Sequence, residues 1–415
     1  MTAISATVAG RRLAVTAFRV ASGGPGAVGC AEIETGHGAL RDAGIDIPAL
    51  AAQLPAGIET AVAVTLDDGT RTRIFGGELV RTAWDYDCDR VTLEARDWAG
   101  ALVDRACPLL AGGAPGAAGR SAGAALFGSA ARSHTVSQLV TAIARQFSLT
   151  PVVAVPAGED RVLGGIFGGA DAALTPMPEA LWGLLCFLAR ETGTDVHVTP
   201  DRELVFGPAA ARPLLRLVHG RGPVPPGAQA IRQLRVTHNV RGSASFRVLV
   251  QSYDAAAYAP TEGRCTAIGT NLGRLDMTTG HPGLWPGATA LPLARLLADA
   301  GVALPVYTFR IDGLTAPEAQ ARATAIATDI ARRELVLTGT CDIIPSIAPR
   351  QHLRIEGETA RDFGAHDYCV TAYRHVFTPP HPGMNGGSLV TEITASDVQS
   401  DGGAAAIAEP AAARA

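Results

Sequence analysis

Two stretches near opposite ends of this chain follow one plan. The earlier, "VTLDDGTRTRIFGGELVRTAWDYDCDRVTLEARDW", runs strand, polar turn, Phe-Gly step, strand ending in an aromatic, loop, and strand closing on aspartate. The later, "LRIEGETARDFGAHDYCVTAYRHVFTPPHPGMNGGSLVTEITASD", keeps that order. Phe75-Gly76 aligns with Phe363-Gly364, Trp84 with Tyr373, and "VTLEARD" to Asp97 with "VTEITASD" to Asp397. Period-two alternation makes each a run of half-buried strands. A chain built this way must house two similar β units and carry everything between them as linker or insertion.

The turns inside the first copy can be read from their chemistry. Asp67-Asp68-Gly69 is a strong hairpin signal. Asp85, Asp87 and Asp89, on alternate residues, look like the start of a calcium loop. Such a loop needs glycine at its sixth position and a bidentate glutamate at its twelfth; these are Arg90 and Arg96. The aspartates therefore read as a turn between two strands. Leu79, Arg81 and Ala83 share one face before it, and Val91, Leu93 and Ala95 form an apolar face after it.

Between the two copies the pattern changes. Residues 108–133 are Gly- and Ala-rich without periodicity, a connector or surface loop. "TVSQLVTAIARQFSL" predicts a helix capped by Thr135 or Ser133, with Val136, Leu139, Val140, Ile143 and Phe147 as its apolar stripe. "TPVVAVP" reads as a strand, and "GGIFGGADAALTP" as a second Gly-rich loop. "PEALWGLLCFLARETG" is an apolar helix ending at Gly193. "DVHVTPDRELVFGP" is a hairpin turning at Pro200-Asp201. Residues 134–210 thus form a small inserted α+β module. Strands resume at "AIRQLRVTHNV"; residues 255–306 show no clear period; and Thr315, Pro317 and Glu318 start a helix over 315–334. The tail, 399–415, reads as flexible.

Bulk properties bound the function. Of 415 residues, 47% are hydrophobic and 18% charged, which indicates a globular chain with room for two or three cores. A net charge of −4 argues against a dedicated nucleic-acid binder. The absence of an apolar run of about 18 residues predicts no membrane span, and the N-terminus does not read as a secretory signal. The seven cysteines are odd in number and never spaced C-x-x-C, which suits reduced thiols. There is no lysine; every basic residue is arginine.

"GPGAVG", Gly24 to Gly29, satisfies G-x-G-x-x-G, but Pro25 and the extended residues that follow make it a hairpin loop, not a dinucleotide site. His366, Cys369, His375 and His381 lack a tight ligand spacing; Cys369 and His375 would stand roughly 20 Å apart along one strand. Glu78 and Glu94 would be a facing pair across a hairpin of the kind a glycosidase requires, although each also reads as a solvated strand residue. No G-x-S-x-G elbow, H-E-x-x-H or P-loop is present. The apolar helix stripes read as core. The sequence thus assigns no catalytic, cofactor-binding or metal-binding residue, no cofactor and no enzymatic activity.

The order of these elements resembles the tail-hub proteins of contractile injection machines: the late control protein D and baseplate hub group of phages, and the hub part of the type VI secretion spike protein VgrG. The resemblance spans most of residues 1–398, from "FGGELVRTAWDYDCDRVTLEARD" through "LRVTHNV" and "EAQARATAIATDIARRE" to "GGSLVTEITASD". It lies in order and pattern, and departs at the 108–133 loop and at 255–306. It implies a β-rich α+β fold with two tail-tube-like β-barrel domains, 1–107 and 211–398, flanking the inserted module. It also implies a homotrimer whose six barrels adapt a sixfold tail tube to a threefold central spike. Implied partners are that spike, the tail tube or its initiator, the tape-measure protein, and DNA passing the channel without specific binding. The implied location is the virion baseplate, after assembly in the bacterial host cytoplasm. The competing expectations are a tail-associated peptidoglycan hydrolase using Glu78 and Glu94, and a glycan-binding tail-tip protein using loop 108–133.

Overall fold

The structure, a computed structural model, describes residues 3–22, 24, 26–53, 57–105, 134–156, 159–163, 180–208, 213–220, 222–238, 246–254, 257–267, 305–311, 314–331, 335–357, 367–380, 387–398 and 407–408. The 108–133 loop, the second Gly-rich loop, Phe363-Gly364, His366, His381, all of 268–304 and all of 399–415 but 407–408 lie outside the described residues.

Alternation sets the first barrel. Its strands are β1 (Ala3–Val8), β2 (Arg11–Leu13), β3 (Ala17–Ser22), β4 (Cys30–Thr35), β5 (Glu59–Thr65), β6 (Arg71–Asp85) and β7 (Arg90–Asp97). Helices α1 (His37–Asp42) and α2 (Ile47–Gln53) fall between β4 and β5. Val8, Phe18, Ile33, Val62, Val64, Val91 and Leu93 meet in one buried core. Burying each such side chain is worth about 1.5–3 kcal/mol. The β5–β6 turn follows its sequence signal: Gly69 takes φ +86°, and the Asp68 carboxylate accepts the Thr70 N–H at 2.8 Å.

The inserted module comprises α3 (Gly100–Asp104), α4 (Val136–Gln146), β8 (Thr150–Val153), α5 (Leu181–Glu191), β9 (Asp195–Val198) and β10 (Glu203–Gly207). Thr135 caps α4 in a reciprocal box with Gln138, satisfying amides the first turn leaves open. Gly193, at φ +63°, follows the end of α5, a conformation that suits glycine. Val136, Leu139, Val140 and Ile143 pack on Leu181, Leu184, Leu185 and Leu188, and the same core takes in Trp98, Ala99 and Leu102. β10 lies parallel to β8 and antiparallel to β9.

The remaining elements are β11 (Leu215–His219), β12 (Ala228–His238), β13 (Phe246–Asp254), β14 (Ala259–Ala267), β15 (Val306–Arg310), α6 (Ala316–Ala331), β16 (Leu335–Asp342), β17 (His352–Gly357), β18 (Asp367–Thr378), β19 (Ser388–Val398) and β20 (Ile407–Ala408). The sequence expectation placed the helix in the second barrel. Instead α6 covers a separate four-stranded sheet, ordered β15-β13-β14-β20. Its ridge of Ala319, Ala323 and Ala327 recurs every four residues and packs on Phe246, Val248 and Val250. Gly263 on β14 permits the approach, since a Cβ there would overlap the Ala319 carbonyl.

The other six strands close on themselves. They run β17-β11-β12-β16-β19-β18, and β18 pairs back to β17. Setting aside the short β2, the first barrel runs β1-β5-β6-β7-β4-β3, so both barrels place their chain-ordered strands as first, fourth, fifth, sixth, third, second. Two differences stand: β1 is antiparallel to β5, whereas β11 is parallel to β17, and β11 pairs with β12 to close the second barrel, whereas among the described residues no ladder joins β1 to β3.

The match extends to single residues. β6 has a bulge between Leu79 and Arg81, opposite Ala95 and Glu94; β18 has one between Val370 and Ala372, opposite Ala395 and Thr394. Asp97 stands opposite Gly77, and Asp397 opposite Tyr368. Counting from the bulges, Trp84, facing Val91, coincides with His375, facing Thr391. The sequence alignment of Trp84 with Tyr373 was therefore two residues off, because it matched aromatic to aromatic and could not see that the inserted residues coincide. The barrels join edge to edge: Phe18–Ser22 of β3 pairs antiparallel with Phe377–Tyr373 of β18, giving one continuous sheet of thirteen strands.

Candidate functional site

The feature that organises this molecule is a joint where both barrels meet the module, built around the loop at Gly24–Gly29. That loop connects two antiparallel strands, β3 and β4, so no helix N-terminus follows it to receive a pyrophosphate. Its glycines serve packing instead. The Gly26 N–H donates to the Val196 carbonyl at 2.8 Å, and the Gly26 carbonyl accepts the Trp182 indole N–H at 2.9 Å and the Cys186 thiol at 3.5 Å. Gly24 has φ +85°, and a Cβ there would overlap the carbonyl of Thr371, the bulge residue of β18. One short loop thus touches the module on one side and the second barrel on the other.

Asp97, the aspartate that closes the first repeat, holds this loop in place. Its carboxylate accepts the Gly29 N–H at 2.6 Å and the Ala99 N–H at 3.0 Å. Burial pushes its pKa up to about 6, against the pull of those backbone donors. Beside it, Trp98 donates its indole N–H to the Pro200 carbonyl at 3.2 Å, with the Arg202 guanidinium 3.8 Å above its ring. Arg202 also pairs with Glu59 at 3.3 Å, and Arg350 ties the module's Asp195 to the second barrel at 3.0 Å. Across the barrel seam His375 is 1% exposed and shares a 3.1 Å hydrogen bond with Thr391; burial holds its pKa down to about 4.

The acids singled out from sequence are engaged elsewhere. Asp85 accepts the Cys88 N–H at 3.2 Å and pairs with Arg90 at 3.4 Å within the turn, while Asp89 accepts the His37 N–H at 3.2 Å and ties the turn to the start of α1. Among the described residues no group of three or more His, Cys, Asp or Glu side chains is gathered as metal donors. Glu78 and Glu94 do not face each other. Glu78 opposes Arg96, and past the bulge at Val80 Glu94 opposes Arg81, with which it pairs at 3.5 Å. Burial raises the Glu78 pKa while Arg202 and Arg96 pull it down. A cleft of about 350 Å³ between module and α6 is lined by Arg161, Glu191, Glu318 and Arg322, which pair with one another: Arg161 with Glu318 at 3.0 Å, and Arg322 with Glu191 at 3.1 Å. The arrangement is suited to holding units at fixed angles. The joint was not legible in the sequence, since a glycine's contacts across 100 or more residues leave no local pattern.

Solved structures share this architecture over nearly the whole chain. The tail protein from Neisseria meningitidis MC58 superposes with a TM-score of 0.60 at 14% identity, covering 95% of this chain and 96% of that one. The 43 kDa tail protein of prophage MuSo2 from Shewanella oneidensis does so with a TM-score of 0.57 at 13% identity, covering 95% and 98%. The chain has a tail-protein fold. No family model and no curated protein matches it.

Proposed function

We propose that this chain is the structural hub of a phage-like tail baseplate. Three copies form a ring of six barrels that seats a sixfold tail tube on one side and a threefold central spike on the other. The observation that carries this reading is the pair of barrels with one strand order, already joined edge to edge by β3 and β18. A sixfold wall made from a trimer needs two equivalent units per chain, and the seam supplies one of the two kinds of contact such a wall requires. The wall would surround a channel for the tape-measure protein and for DNA, in a virion assembled in the host cytoplasm. The role is architectural: Glu94 pairs with an arginine, Glu78 lies opposite one, and the joint spends its polar groups on holding barrels and module together.

Light scattering tests the stoichiometry. A species of about 130 kDa, three chains of 42.6 kDa, is expected alone or with the spike protein of the same tail. Only monomer in both settings rejects the hub. Cell-wall zymography separates the hydrolase reading: clearing that disappears when Glu78 and Glu94 are replaced would establish it in the hub's place.

A further inference from the structure

The seam inside one chain is a template against which other strand edges can be compared. Each barrel has a bulged strand, β6 or β18, and a second-position strand, β3 or β12. Within the chain, β18 of the second barrel pairs with β3 of the first. The reciprocal contact, β6 of a first barrel with β12 of a second, is not made within the chain. Among the described residues, β6 has no strand partner on the side away from β7 beyond Glu78, and β12 has none on the side away from β16 beyond Ala230.

Residue equivalence fixes the register. Arg96 and Ser396 hold matching places, one residue before Asp97 and Asp397. Arg96 faces Cys30, which faces Ala21; Ser396 faces Val336, which faces Thr237. Ala21 therefore corresponds to Thr237, Val20 to Val236, Arg19 to Arg235 and Phe18 to Leu234. Across the seam His375 meets Val20, and Val376 meets Arg19. Replacing each residue by its equivalent sets Trp84 opposite Val236, Asp85 opposite Arg235 and Ala83 opposite Thr237, with Tyr86 beside Leu234. The chemistry is complementary pair by pair: aromatic on aliphatic, carboxylate on guanidinium, small on small.

We infer that copies of this chain join head to tail by antiparallel pairing of Thr82–Asp85 on β6 with Arg235–His238 on β12 of a second copy. Exposure supports the assignment. Trp84 is 39% exposed and Tyr86 78%, whereas His375, at the place of Trp84, is 1% exposed where β3 lies beside its strand. Exposed aromatics on an unpaired strand edge invite aggregation unless another strand covers them. Two different surfaces meet, so repetition of the contact gives a ring if the rotation closes.

The inference rests on the hub reading and adds the surface through which the ring forms. Cysteine pairing tests it, in a chain whose exposed Cys30 and Cys88 are replaced by serine. Ala83→Cys with Thr237→Cys should oxidise to a ladder ending at covalent trimer, with the 83–237 link found by peptide mapping. Ala21→Cys with Arg374→Cys, the same geometry inside one chain, is the control and should yield cross-linked monomer. A trimer by scattering that never forms the 83–237 link, while the control links, overturns the strand assignment and leaves the hub standing. Monomer at every concentration, alone and with the spike protein, removes both. Trp84→Ala gives a second readout: its loss should weaken association about tenfold or more, and association of unchanged strength counts against the pairing.

Discussion

At the scale of single residues, two buried ionisable groups near the joint pull stability in opposite directions with pH. His375 has a folded pKa near 4, below its ordinary 6.5, so the neutral form is native and its contribution is full above pH 6.5 and lost as pH falls towards 4. At about 1.4 kcal/mol per unit this amounts to roughly 3 kcal/mol. Asp97 has its pKa raised from 3.8 to about 6, so the native state binds the extra proton and stability declines as pH rises through that interval. Between pH 4 and 6 the two slopes oppose. His375→Gln can retain a hydrogen bond to Thr391 and removes one slope, so the melting temperatures of variant and native chain should diverge on acidification from pH 7 to 4, the variant losing less. Parallel curves would show that His375 titrates in the fold as it does in water.

At the scale of elements, the strongest local signals gave the most dependable readings, and one lends itself to measurement. Thr135 caps α4 reciprocally with Gln138. Thr135→Ala should lower stability by about 1 kcal/mol, visible as a shift in the denaturant midpoint with unchanged slope; no shift would mean that packing alone starts the helix. The hairpin at Asp67-Asp68-Gly69, the helix stop at Gly193 and the hairpin at Pro200-Asp201 were all legible, because turn residues act over a few positions. Register was not legible. Val80 and Thr371 are extra residues in their strands, and alternation continues on either side of a bulge with nothing to mark the slip. The Trp84–Tyr373 alignment followed aromatic to aromatic in the same way, and the nearness of Glu78 and Glu94 on neighbouring strands did not reveal that each faces an arginine. The partner of α6 was equally hidden, since an alanine ridge says that a close neighbour exists without saying which sheet supplies it.

At the scale of the whole molecule, the α6 sheet is fastened to the module by ion pairs across the cleft, Arg161 with Glu318 and Arg322 with Glu191. These groups are partly solvated, so each pair should contribute a few tenths to about 1 kcal/mol. A double-mutant cycle of Arg161→Ala and Glu318→Ala should return a coupling of that size, falling with added salt; strict additivity would mean that the two units are held by other contacts. The repeat itself was legible from the spacing of hydrophobic residues and closing aspartates. What joins the repeats was not, because the seam and the Gly24–Gly29 loop bring together segments hundreds of residues apart.

Strands β13, β14 and β15 and helix α6 emerge from the second barrel between β12 and β16, and among the described residues the first barrel has no counterpart between β3 and β4. In the proposed ring only alternate barrels would bear it, giving three lobes on a wall of six staves. A cylinder resting on the wall alone could settle in six rotational positions and would find them all nearly alike. A partner that grips the lobes has three. The lobes would work as a key that halves the permitted settings.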